Sequence, residues 1–525
     1  MKKLILLLTI SSAICIFLNA KSKPNILFIF SDDHGLRTIG AYNPQFKGTP
    51  NIDRIADSGA VFTRSYCENS ICQPSRAAVL TGKVSAHHGV VKNGAHWDNK
   101  QQIFTRLIKK AGYQTAMIGK WHMHPLPSDE FDYHKTLTAN AGQGRYYNPA
   151  FVEHDGSIKI EEGYSTDVIA SESIEWMKNA DKEKPFMMMC QFKAPHTNVM
   201  PPIRNLHMYK DEDVFMPETY FDNYQGRNPY VAKSWMKMHG MKSSNVVKIS
   251  PPIGQYQLPT NAKGPERNFK GDFKYLAEMN PEQRKKWHEH YDPENEDYRA
   301  RVASGELTGN NLFKYRYQRY MKDYLRVVSA IDQNVGRLLD FLDASGLAEN
   351  TIVIYSSDQG FFLGEHGWSD KRLMYEESFQ MPFVIKWPNQ IKPGSRINHM
   401  IQNIDYAPTF LDIAGLKIPS DMQGRSLLPL LRNEPVEDWR DSVYYHYYHN
   451  GAYNLPKIEG ARTDRYKLIR YYDHKTLNYG EQWELFDLKK DPQEMSSVFD
   501  DPEYSIVRNK MEKELIALRT QYGIQ

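Results

Sequence analysis

The 525-residue sequence has little cysteine, little net charge and few long apolar runs. Its formal net charge of +3 comes from 66 basic and 63 acidic residues, which gives no sign of a nucleic-acid-binding surface. After the N-terminus no stretch is apolar enough to span a bilayer, so we expect no stable membrane partner. There are no internal repeats or low-complexity tracts. These absences leave a large globular protein, long enough for one large domain and a smaller one.

The N-terminal segment 1–20 is typical of a secretory signal. Lys2 and Lys3 precede an apolar run at 4–17, which is too short for a membrane anchor and ends before Ala20. A lipoprotein signal at Cys15 is disfavoured, because a large residue, isoleucine, precedes that cysteine. We therefore expect an exported protein, either periplasmic or secreted.

Three cysteines remain outside this segment, Cys67, Cys72 and Cys190. An odd number excludes complete pairing, and leaves either one spare thiol or one cysteine that is chemically converted. If Cys72 is the converted residue, Cys67 and Cys190 could form a disulfide or stay reduced, and the sequence does not decide between these states.

The order of apolar strands and amphipathic helices predicts an α/β fold with a doubly wound, mostly parallel sheet flanked by helices. A long amphipathic helix is expected at 321–342, and the irregular stretch at about 200–310 is interpreted as an insertion. After residue 440, short aromatic runs and a final helical pattern predict a smaller antiparallel sheet plus helix. The predicted division is a signal peptide at 1–20, a catalytic domain at 21–439 and a C-terminal α+β subdomain at 440–525.

The stretch 70–83 reads Ser-Ile-Cys-Gln-Pro-Ser-Arg-Ala-Ala-Val-Leu-Thr-Gly-Lys. Pro74 suits the first turn of a helix, so Cys72 should stand at the helix start, where free N–H groups favour negative charge. Arg76, one turn further along, adds a permanent cation on the same side. The sequence therefore predicts a lowered pKa for the Cys72 thiol.

This stretch resembles the signature of the formylglycine-dependent (type I) sulfatases, a family of the alkaline-phosphatase-like superfamily. Only Lys83 departs from the usual pattern, in which arginine is common at that position. The resemblance implies that Cys72 is oxidised to formylglycine (3-oxoalanine) by a formylglycine-generating or anaerobic sulfatase-maturating enzyme. The hydrate of this aldehyde is the nucleophile of the family.

Four apolar strands of the predicted sheet run directly into polar side chains. Open α/β sheets place their sites at the carboxyl ends of strands, so these side chains are expected to meet in one pocket. The same clusters occur in sulfatases in this order. The strands lie at 26–30, 115–118, 186–192 and 351–355, and the side chains that follow are Asp32 and Asp33, Lys120 and His122, His196, and Asp358 and Gln359.

Asp32, Asp33, Asp358 and Gln359 predict a metal site. Three carboxylates and an amide oxygen are hard ligands that suit Ca²⁺ or Mg²⁺. The resemblance implies that these residues and the formylglycine at Cys72 hold one divalent ion, usually calcium. Gln359 replaces the more frequent asparagine and keeps an amide oxygen.

The resemblance assigns the remaining catalytic roles to Arg76, Lys120, His122, His196 and Lys371. Lys120 and His122 would contact the formylglycine hydroxyls, while His196 and Lys371 would hold the sulfate and protonate the leaving oxygen. The cations are needed because negative oxygens shield the sulfur of a sulfate ester from a nucleophile. A zinc site formed by His122 with its neighbour His124 is disfavoured, since no third soft ligand is nearby.

The sequence thus predicts a sulfatase that acts on sulfated polysaccharides or their oligosaccharides, of the ulvan, carrageenan or glycosaminoglycan type, with a weak preference for an algal polymer. We expect His366, Trp368, His446 or His449 to reach the pocket rim and contact the sugar. Two alternatives stay open. One is a phosphate-ester or phosphonate hydrolase of the same fold, although Gln359 stands where its two-zinc members need a histidine. The other is a glycan-binding protein without activity.

Overall fold

The structure, a computed structural model, describes residues 23–138, 142–240, 248–251 and 274–524. The segment predicted as an export signal, 1–20, lies outside these residues. Within the described ranges, none of the helices combines the length and the apolar character that a bilayer span requires.

Strands occur along the whole described chain. They are β1 (Asn25–Ser31), β2 (Ala60–Phe62), β3 (Ser65–Tyr66), β4 (Gln114–Gly119), β5 (Tyr133–Leu137), β6 (Ala150–Val152), β7 (Ile158–Ile160), β8 (Phe186–Gln191), β9 (Thr351–Ser357), β10 (Phe362–Leu363), β11 (Ser369–Asp370), β12 (Phe383–Lys386), β13 (Ser395–Ile397), β14 (Ile401–Gln402), β15 (Ser442–Tyr447), β16 (Lys457–Thr463), β17 (Tyr466–Tyr472) and β18 (Gln482–Asp487).

A ten-stranded sheet forms the centre of the molecule, in the order β13-β2-β12-β9-β1-β8-β4-β5-β6-β7. The run from β9 to β5 is entirely parallel. Antiparallel pairs lie toward the two ends, where β12 joins β9 and β2, and β6 joins β5 and β7. The sheet is therefore mixed but mostly parallel, as the sequence predicts.

Helices cover both faces of this sheet. Leu27 and Ile29 of β1 belong to one core, whereas Ile26, Phe28 and Phe30 belong to the other, and all five are buried. A strand with both faces covered is a continuous apolar run, which explains why β1 was recognisable in the sequence. The doubly wound α/β prediction is confirmed.

The long helix Gly309–Ala344 packs on one face of the sheet beside two shorter helices, Ser165–Asn179 and Pro50–Asp57. On the other face the helix that carries Cys72 contacts helices near Phe104 and Phe410. The helices of the described residues are Pro50–Asp57, Cys72–Thr81, Ser85–His88, Phe104–Lys110, Ser165–Asn179, Pro229–Ala232, Pro281–Ala303, Gly309–Ala344, Glu376–Phe379, Tyr406–Ile413, Leu428–Leu431 and Ser505–Gln521.

A second, four-stranded antiparallel sheet, β15-β16-β17-β18, lies near the C-terminus and carries the helix Ser505–Gln521. This confirms the smaller sheet-plus-helix unit. The sequence missed β16, because Gly460 and its neighbours lack the aromatic pattern of the other strands. A Cβ atom at Gly460 would lie 2.4 Å from the Leu468 carbonyl oxygen and 2.4 Å from Met374 Sδ, so only glycine fits there. The boundary at 439/440 stays a prediction.

The expectation of irregular structure at 200–310 is wrong for part of that length, and the interpretation of the stretch as an insertion stays a prediction. A 23-residue helix, Pro281–Ala303, begins at Asn280, whose side chain accepts a hydrogen bond from the backbone N–H of Gln283, while the Gln283 side chain accepts one in return. Its buried positions include the polar His288 and Asn295, which hid the helical period. The parts of the insertion at 241–247 and 252–273 lie outside the described residues.

Candidate active site

The predicted site residues meet where four adjacent strands end. The strands β9, β1, β8 and β4 lie side by side and parallel, so their carboxyl ends share one edge of the sheet. Each strand passes directly into a loop that contains predicted site residues. The loops bring Asp358 and Gln359, Asp32 and Asp33, His196, and Lys120 and His122 to the same place.

Cys72 reaches this edge as the first residue of the helix Cys72–Thr81. The whole helix is buried, and Pro74 occupies its first turn. Ser75 fixes it in place, because its hydroxyl donates to the Asp358 carbonyl oxygen and accepts from Asn403 Nδ2 at 2.8 Å. The Cys72 thiol consequently donates to Asp32 Oδ1 at 3.2 Å.

Four of the five predicted metal ligands form one buried cluster. One ligand atom each from Asp32, Asp33, Cys72 and Asp358 lies within 4.8 Å of the others. The fifth, Gln359, donates through Nε2 to Asp33, while its Oε1 is buried and accepts no hydrogen bond. Three carboxylates and an unpaired amide oxygen are a donor set that fits a hard divalent cation such as Ca²⁺ or Mg²⁺.

Each buried carboxylate has its own cation. Lys120 Nζ binds Asp32, Lys371 Nζ lies 2.6 Å from both carboxylate oxygens of Asp33, and Arg76 Nε lies 3.1 Å from Asp358 Oδ2. These three pairs neutralise a charge that the protein interior would otherwise disfavour. Lys120, Lys371 and Arg76, the three basic residues predicted for the site, therefore all bind carboxylates of the proposed metal-binding cluster.

Burial dominates the pKa values of these carboxyl groups. It would raise the pKa of Asp32, but Lys120 and further cations hold that pKa well below its usual range. Burial raises the pKa of Asp33 to about 6, even though Lys371 opposes the shift. Burial and the neighbouring Asp32 raise the pKa of Asp358 to about 8. Burial and the neighbouring carboxylates thus disfavour the charged forms of Asp33 and Asp358, and a positive ion bound among these oxygen atoms would favour the charged forms.

The predicted lowering of the Cys72 pKa is wrong. Burial and then the adjacent Asp32 carboxylate raise the pKa of the thiol well above its usual value. The guanidinium of Arg76, which was expected to favour the thiolate, is engaged by Asp358 and by the carbonyl oxygen of Lys120. An unmodified Cys72 in this setting is a neutral thiol and a poor nucleophile.

The two predicted catalytic histidines flank the cluster. His196 Nε2 lies 3.8 Å from Asp33 Oδ2, and its side chain is 19% exposed, so it stands on the open side. His122 is more deeply buried and accepts from Gln143 Nε2 at 3.1 Å. Burial lowers the pKa of both imidazoles well below the ordinary value, so both rings are neutral. His124, the alternative zinc ligand, is exposed and not part of the cluster.

Sequence reasoning missed residues that support this set. Gln143 accepts from Lys120 Nζ at 2.9 Å while it donates to His122, and it therefore orients both side chains. Asp370 and Arg372 flank Lys371, form an ion pair, and have φ angles of 81° and 92°. Such strained backbone is concentrated at functional sites. No sequence motif identifies Gln143, whereas the three consecutive charged residues at 370–372 could have indicated that Asp370 and Arg372 belong near the site.

The expectation that His366, Trp368, His446 or His449 reaches the pocket rim is wrong for the first three of these residues. His366 is buried and its Nδ1 lies 3.0 Å from Asp222 Oδ2. Trp368 is fully buried and stacks on a tyrosine ring. His446 is buried between two tyrosine hydroxyls. Only His449 is half-buried.

The remaining cysteines do not pair in the structure. Cys67 and Cys190 are both free and buried. The sequence left open whether these two cysteines form a disulfide, and the structure shows two reduced thiols.

Residues 24–416 match the family described as Sulfatase, and residues 364–521 match the one described as N-sulphoglucosamine sulphohydrolase, C-terminal. The chain belongs to the sulfatase family. This sulfatase is 41% identical over 500 residues to an N-acetylglucosamine-6-O-sulfatase of Bacteroides thetaiotaomicron, a match that covers 94% of this chain and 85% of that protein. It is 27% identical over 456 residues to the human N-acetylglucosamine-6-sulfatase, covering 82% of this chain and 68% of that protein.

Solved structures give the same family. A protein in complex with its substrate, D-glucosamine-2-N,6-O-disulfate, matches with a TM-score of 0.89 and 40% identity, over 96% of this chain and 98% of that chain. A more distant structure is that of a phosphonate monoester hydrolase from Silicibacter pomeroyi, which covers 95% of this chain and 96% of that chain. Among relatives known by sequence, an ulvan-active sulfatase of Formosa agariphila is 26% identical over 526 residues, which is 95% of this chain and 81% of that protein. The phosphonate hydrolase has a TM-score of 0.69 and 19% identity. It shares the fold alone.

The chain is accordingly an enzyme, a sulfuric ester hydrolase. Sulfatases generally use a formylglycine and a divalent metal, and the cluster of carboxylates around Cys72 is the part of this sulfatase that fits both.

Proposed function

We propose that this sulfatase removes the 6-O-sulfate from glucosamine residues, N-acetylated or N-sulfated, in glycosaminoglycan-type oligosaccharides. The observation that carries the proposal is the match at a TM-score of 0.89 and 40% identity to a protein bound to D-glucosamine-2-N,6-O-disulfate. The 41% identical relative from Bacteroides thetaiotaomicron has a name with the same sugar and the same position. The ulvan-active relative is only 26% identical, so the earlier preference for an algal polymer is not retained.

In this proposal Cys72 is converted to formylglycine by a maturating enzyme, and Asp32, Asp33, Asp358 and Gln359 hold one Ca²⁺. The raised pKa of the Cys72 thiol supports the conversion, because an unmodified thiol there would be a weak nucleophile. The unpaired Oε1 of Gln359 among three carboxylates supports the ion. When present, the two groups supply a hydrated aldehyde as nucleophile and a positive charge for the sulfate oxygens.

The basic side chains of the chain bind and orient the sulfate. Lys120 and Lys371 lie against Asp32 and Asp33 at the cluster, and each ammonium group has further hydrogen atoms to donate to sulfate oxygens. Arg76 is held by Asp358 and the Lys120 carbonyl oxygen, so its part is to fix the cluster and add charge. Their combined charge lowers the barrier for attack at a sulfur that negative oxygens surround.

The histidines handle protons in this account. His196 is on the open side of the cluster, where the sugar oxygen departs, and it donates a proton to that oxygen together with Lys371. A bound sulfate would raise the pKa of His196 from its lowered value, because a nearby anion favours the imidazolium. His122, oriented by Gln143, assists removal of a proton on the buried side.

We also propose that the enzyme is exported, because the segment 1–20 has the charged, apolar and cleavage-site regions of a secretory signal. Export would bring it to the compartment where glycan fragments arrive.

The proposal is tested by sulfate release from N-acetylglucosamine that carries one sulfate at O3, O4 or O6, and from N-sulfated glucosamine with and without a 6-O-sulfate. We expect release from the 6-O-sulfated sugars only. The Cys72→Ala variant is the matched control, and we expect it to keep the fold and release nothing. Release from the 3-O- or 4-O-sulfated sugar at a rate equal to or above that of the 6-O isomer would refute the assignment.

A further inference from the structure

Trp235 is the most exposed large aromatic residue of the described chain. Its side chain is 73% exposed, whereas Trp97, Trp121, Trp287 and Trp368 are buried. Within the described part of the chain no ring packs against its indole. A single exposed apolar residue is ordinary on a protein surface, so its meaning depends on where it stands.

The backbone of Trp235 is held on one side by the loop that leads to Lys371. The Ser369 N–H donates to the Met236 carbonyl oxygen at 2.9 Å, and Lys237 forms an antiparallel bridge with Trp368. The segment around Trp235 therefore lies beside the chain just before the lysine that binds Asp33. Lys371 is the second residue after Ser369, which is about 7 Å of extended chain.

A loop of the C-terminal sheet holds the other side. The Trp235 N–H donates to the Tyr453 carbonyl oxygen at 3.0 Å, and Asn454 Nδ2 donates to the Lys233 carbonyl oxygen at 2.9 Å. Three distant parts of the sequence, at 233–237, 368–372 and 453–454, thus meet around one exposed indole.

A chain of contacts connects these three segments to the predicted active site. The Arg372 guanidinium lies 3.6 Å from the centre of the Tyr453 ring, and it pairs with Asp370 on the other side of Lys371. Lys371 itself binds the Asp33 carboxylate at 2.6 Å. The exposed indole of Trp235 and the exposed ring of Tyr453 therefore lie on one surface, and the buried Arg372 connects the Tyr453 ring to the loop of Lys371.

We propose that Trp235 is a stacking platform for a second sugar ring of the substrate, next to the ring that loses its sulfate. The inference rests on the proposed function. Aromatic rings stack on the apolar faces of sugars, and the rigid indole gives a large contact area at little cost in conformational entropy. The exposed ring of Tyr453, whose carbonyl oxygen accepts from the Trp235 N–H, offers a second apolar face beside the indole. The enzyme accordingly favours an oligosaccharide over the monosaccharide.

The experiment compares kcat/KM on 6-O-sulfated N-acetylglucosamine with kcat/KM on a tetrasaccharide that carries the same sulfated residue at its end. In Trp235→Ala we expect kcat/KM on the tetrasaccharide to fall about tenfold, mostly through KM, and the value on the monosaccharide to stay within about twofold. Trp235→Phe should recover most of the loss. Ile506→Ala, which removes an exposed apolar side chain from the C-terminal helix, is the control and should change neither value.

A binding readout separates this proposal from the proposed function. The tetrasaccharide is titrated into the inactive Cys72→Ala protein, and the change in tryptophan fluorescence is compared with that of the same protein carrying Trp235→Phe. We expect a change that Trp235→Phe removes. Equal losses on both substrates in Trp235→Ala, or a fluorescence change that persists in Trp235→Phe, would overturn the platform. Failure of the wild-type enzyme on both sugars, with the Trp235-dependent fluorescence change intact, would overturn the proposed function alone.

Discussion

Three buried ion pairs form the centre of this site. Asp32, Asp33 and Asp358 are buried next to one another, and three cations, Lys120, Lys371 and Arg76, each bind one of them. Removing one partner of such a buried pair leaves an uncompensated charge and is strongly destabilising. The three pairs therefore have to be considered together with the divalent cation that their oxygen atoms suit.

Asp358 tests the metal site at the residue scale. Asp358→Asn keeps the size of the side chain and an acceptor for Arg76 but removes one anionic ligand. We expect the affinity for Ca²⁺ to fall by more than the roughly 10–100-fold that loss of an outer-sphere partner costs. Elemental analysis and the Ca²⁺ dependence of the thermal midpoint measure the effect.

Gln359→Asn is the matched control, because it shortens the chain but keeps the amide oxygen, and it should retain most of the affinity. Full occupancy of Asp358→Asn by Ca²⁺ would show that the ion binds elsewhere. Two zinc ions per wild-type chain would contradict the single hard-cation site.

The sequence could predict which residues form the site, but not their protonation states. Cys72 was found by the resemblance of the stretch 70–83 to the sulfatase signature, and its place at a helix start by the local pattern around Pro74. Its raised pKa depends on Asp32, 40 positions away, and on complete burial, which no local pattern encodes. Gln143 was missed for the same reason, since its contacts with Lys120 and His122 exist only after folding.

At the scale of the element, the short helix Glu376–Phe379 connects the site to the C-terminal sheet. Glu376 pairs with Lys467 of β17 at 2.7 Å and with Arg462 of β16 at 3.3 Å. Its backbone N–H donates to Glu494 Oε2 at 2.7 Å. This helix follows the Lys371 loop directly, so these contacts help to hold that loop against the second sheet.

Glu376→Gln tests this junction. Burial would raise the pKa of Glu376, but Lys467 and Arg462 lower it to about 2. Because this pKa is lower in the folded than in the unfolded state, the pair stabilises the fold above pH about 4.5 and loses that effect as the pH falls toward 2. We expect Glu376→Gln to reduce the free energy of unfolding at pH 7 by about 3 kcal/mol.

The measurement is the free energy of unfolding in urea between pH 7 and pH 3.5, where the difference between wild type and Glu376→Gln should narrow. Glu183→Gln, in an exposed loop, is the control and should have little effect at any pH. A difference that is constant across this range would mean that Glu376 stabilises the fold by packing and not by charge.

Elements with a strong local period were predictable, and those without one were not. The run Ile26–Phe30 and the helix around Val328 show clear patterns, because β1 is covered on both faces and the helix Gly309–Ala344 buries one apolar stripe. The helix Pro281–Ala303 buries polar side chains among its aromatic ones, and the strand around Gly460 lacks aromatic side chains. Both were missed, since tertiary contacts and not local composition stabilise them.

At the scale of the whole molecule, the sheet order brings the site together. The strands β9, β1, β8 and β4 are neighbours although about 320 residues of sequence separate β1 from β9. Sequence reasoning could place the clusters at strand ends and infer that they meet, because open α/β sheets share this geometry. It could not place the junction of Trp235, Tyr453 and Arg372, which depends on the insertion and the second sheet packing beside the Lys371 loop.

The central claim is that the carboxylate and cation cluster around Cys72 serves sulfate transfer from O6 of a glucosamine. It is tested most directly with N-acetylglucosamine 6-sulfate and N-acetylglucosamine 6-phosphate, which differ only in the transferred group. The enzyme is first examined by peptide mass spectrometry, so that the fraction of Cys72 converted to the aldehyde is known. The account predicts a kcat/KM about 100-fold or more higher for the sulfate than for the phosphate. It also predicts that the rate on the sulfate rises in proportion to the converted fraction of Cys72. Faster hydrolysis of the phosphate, or full activity with an unmodified Cys72 thiol, would contradict it.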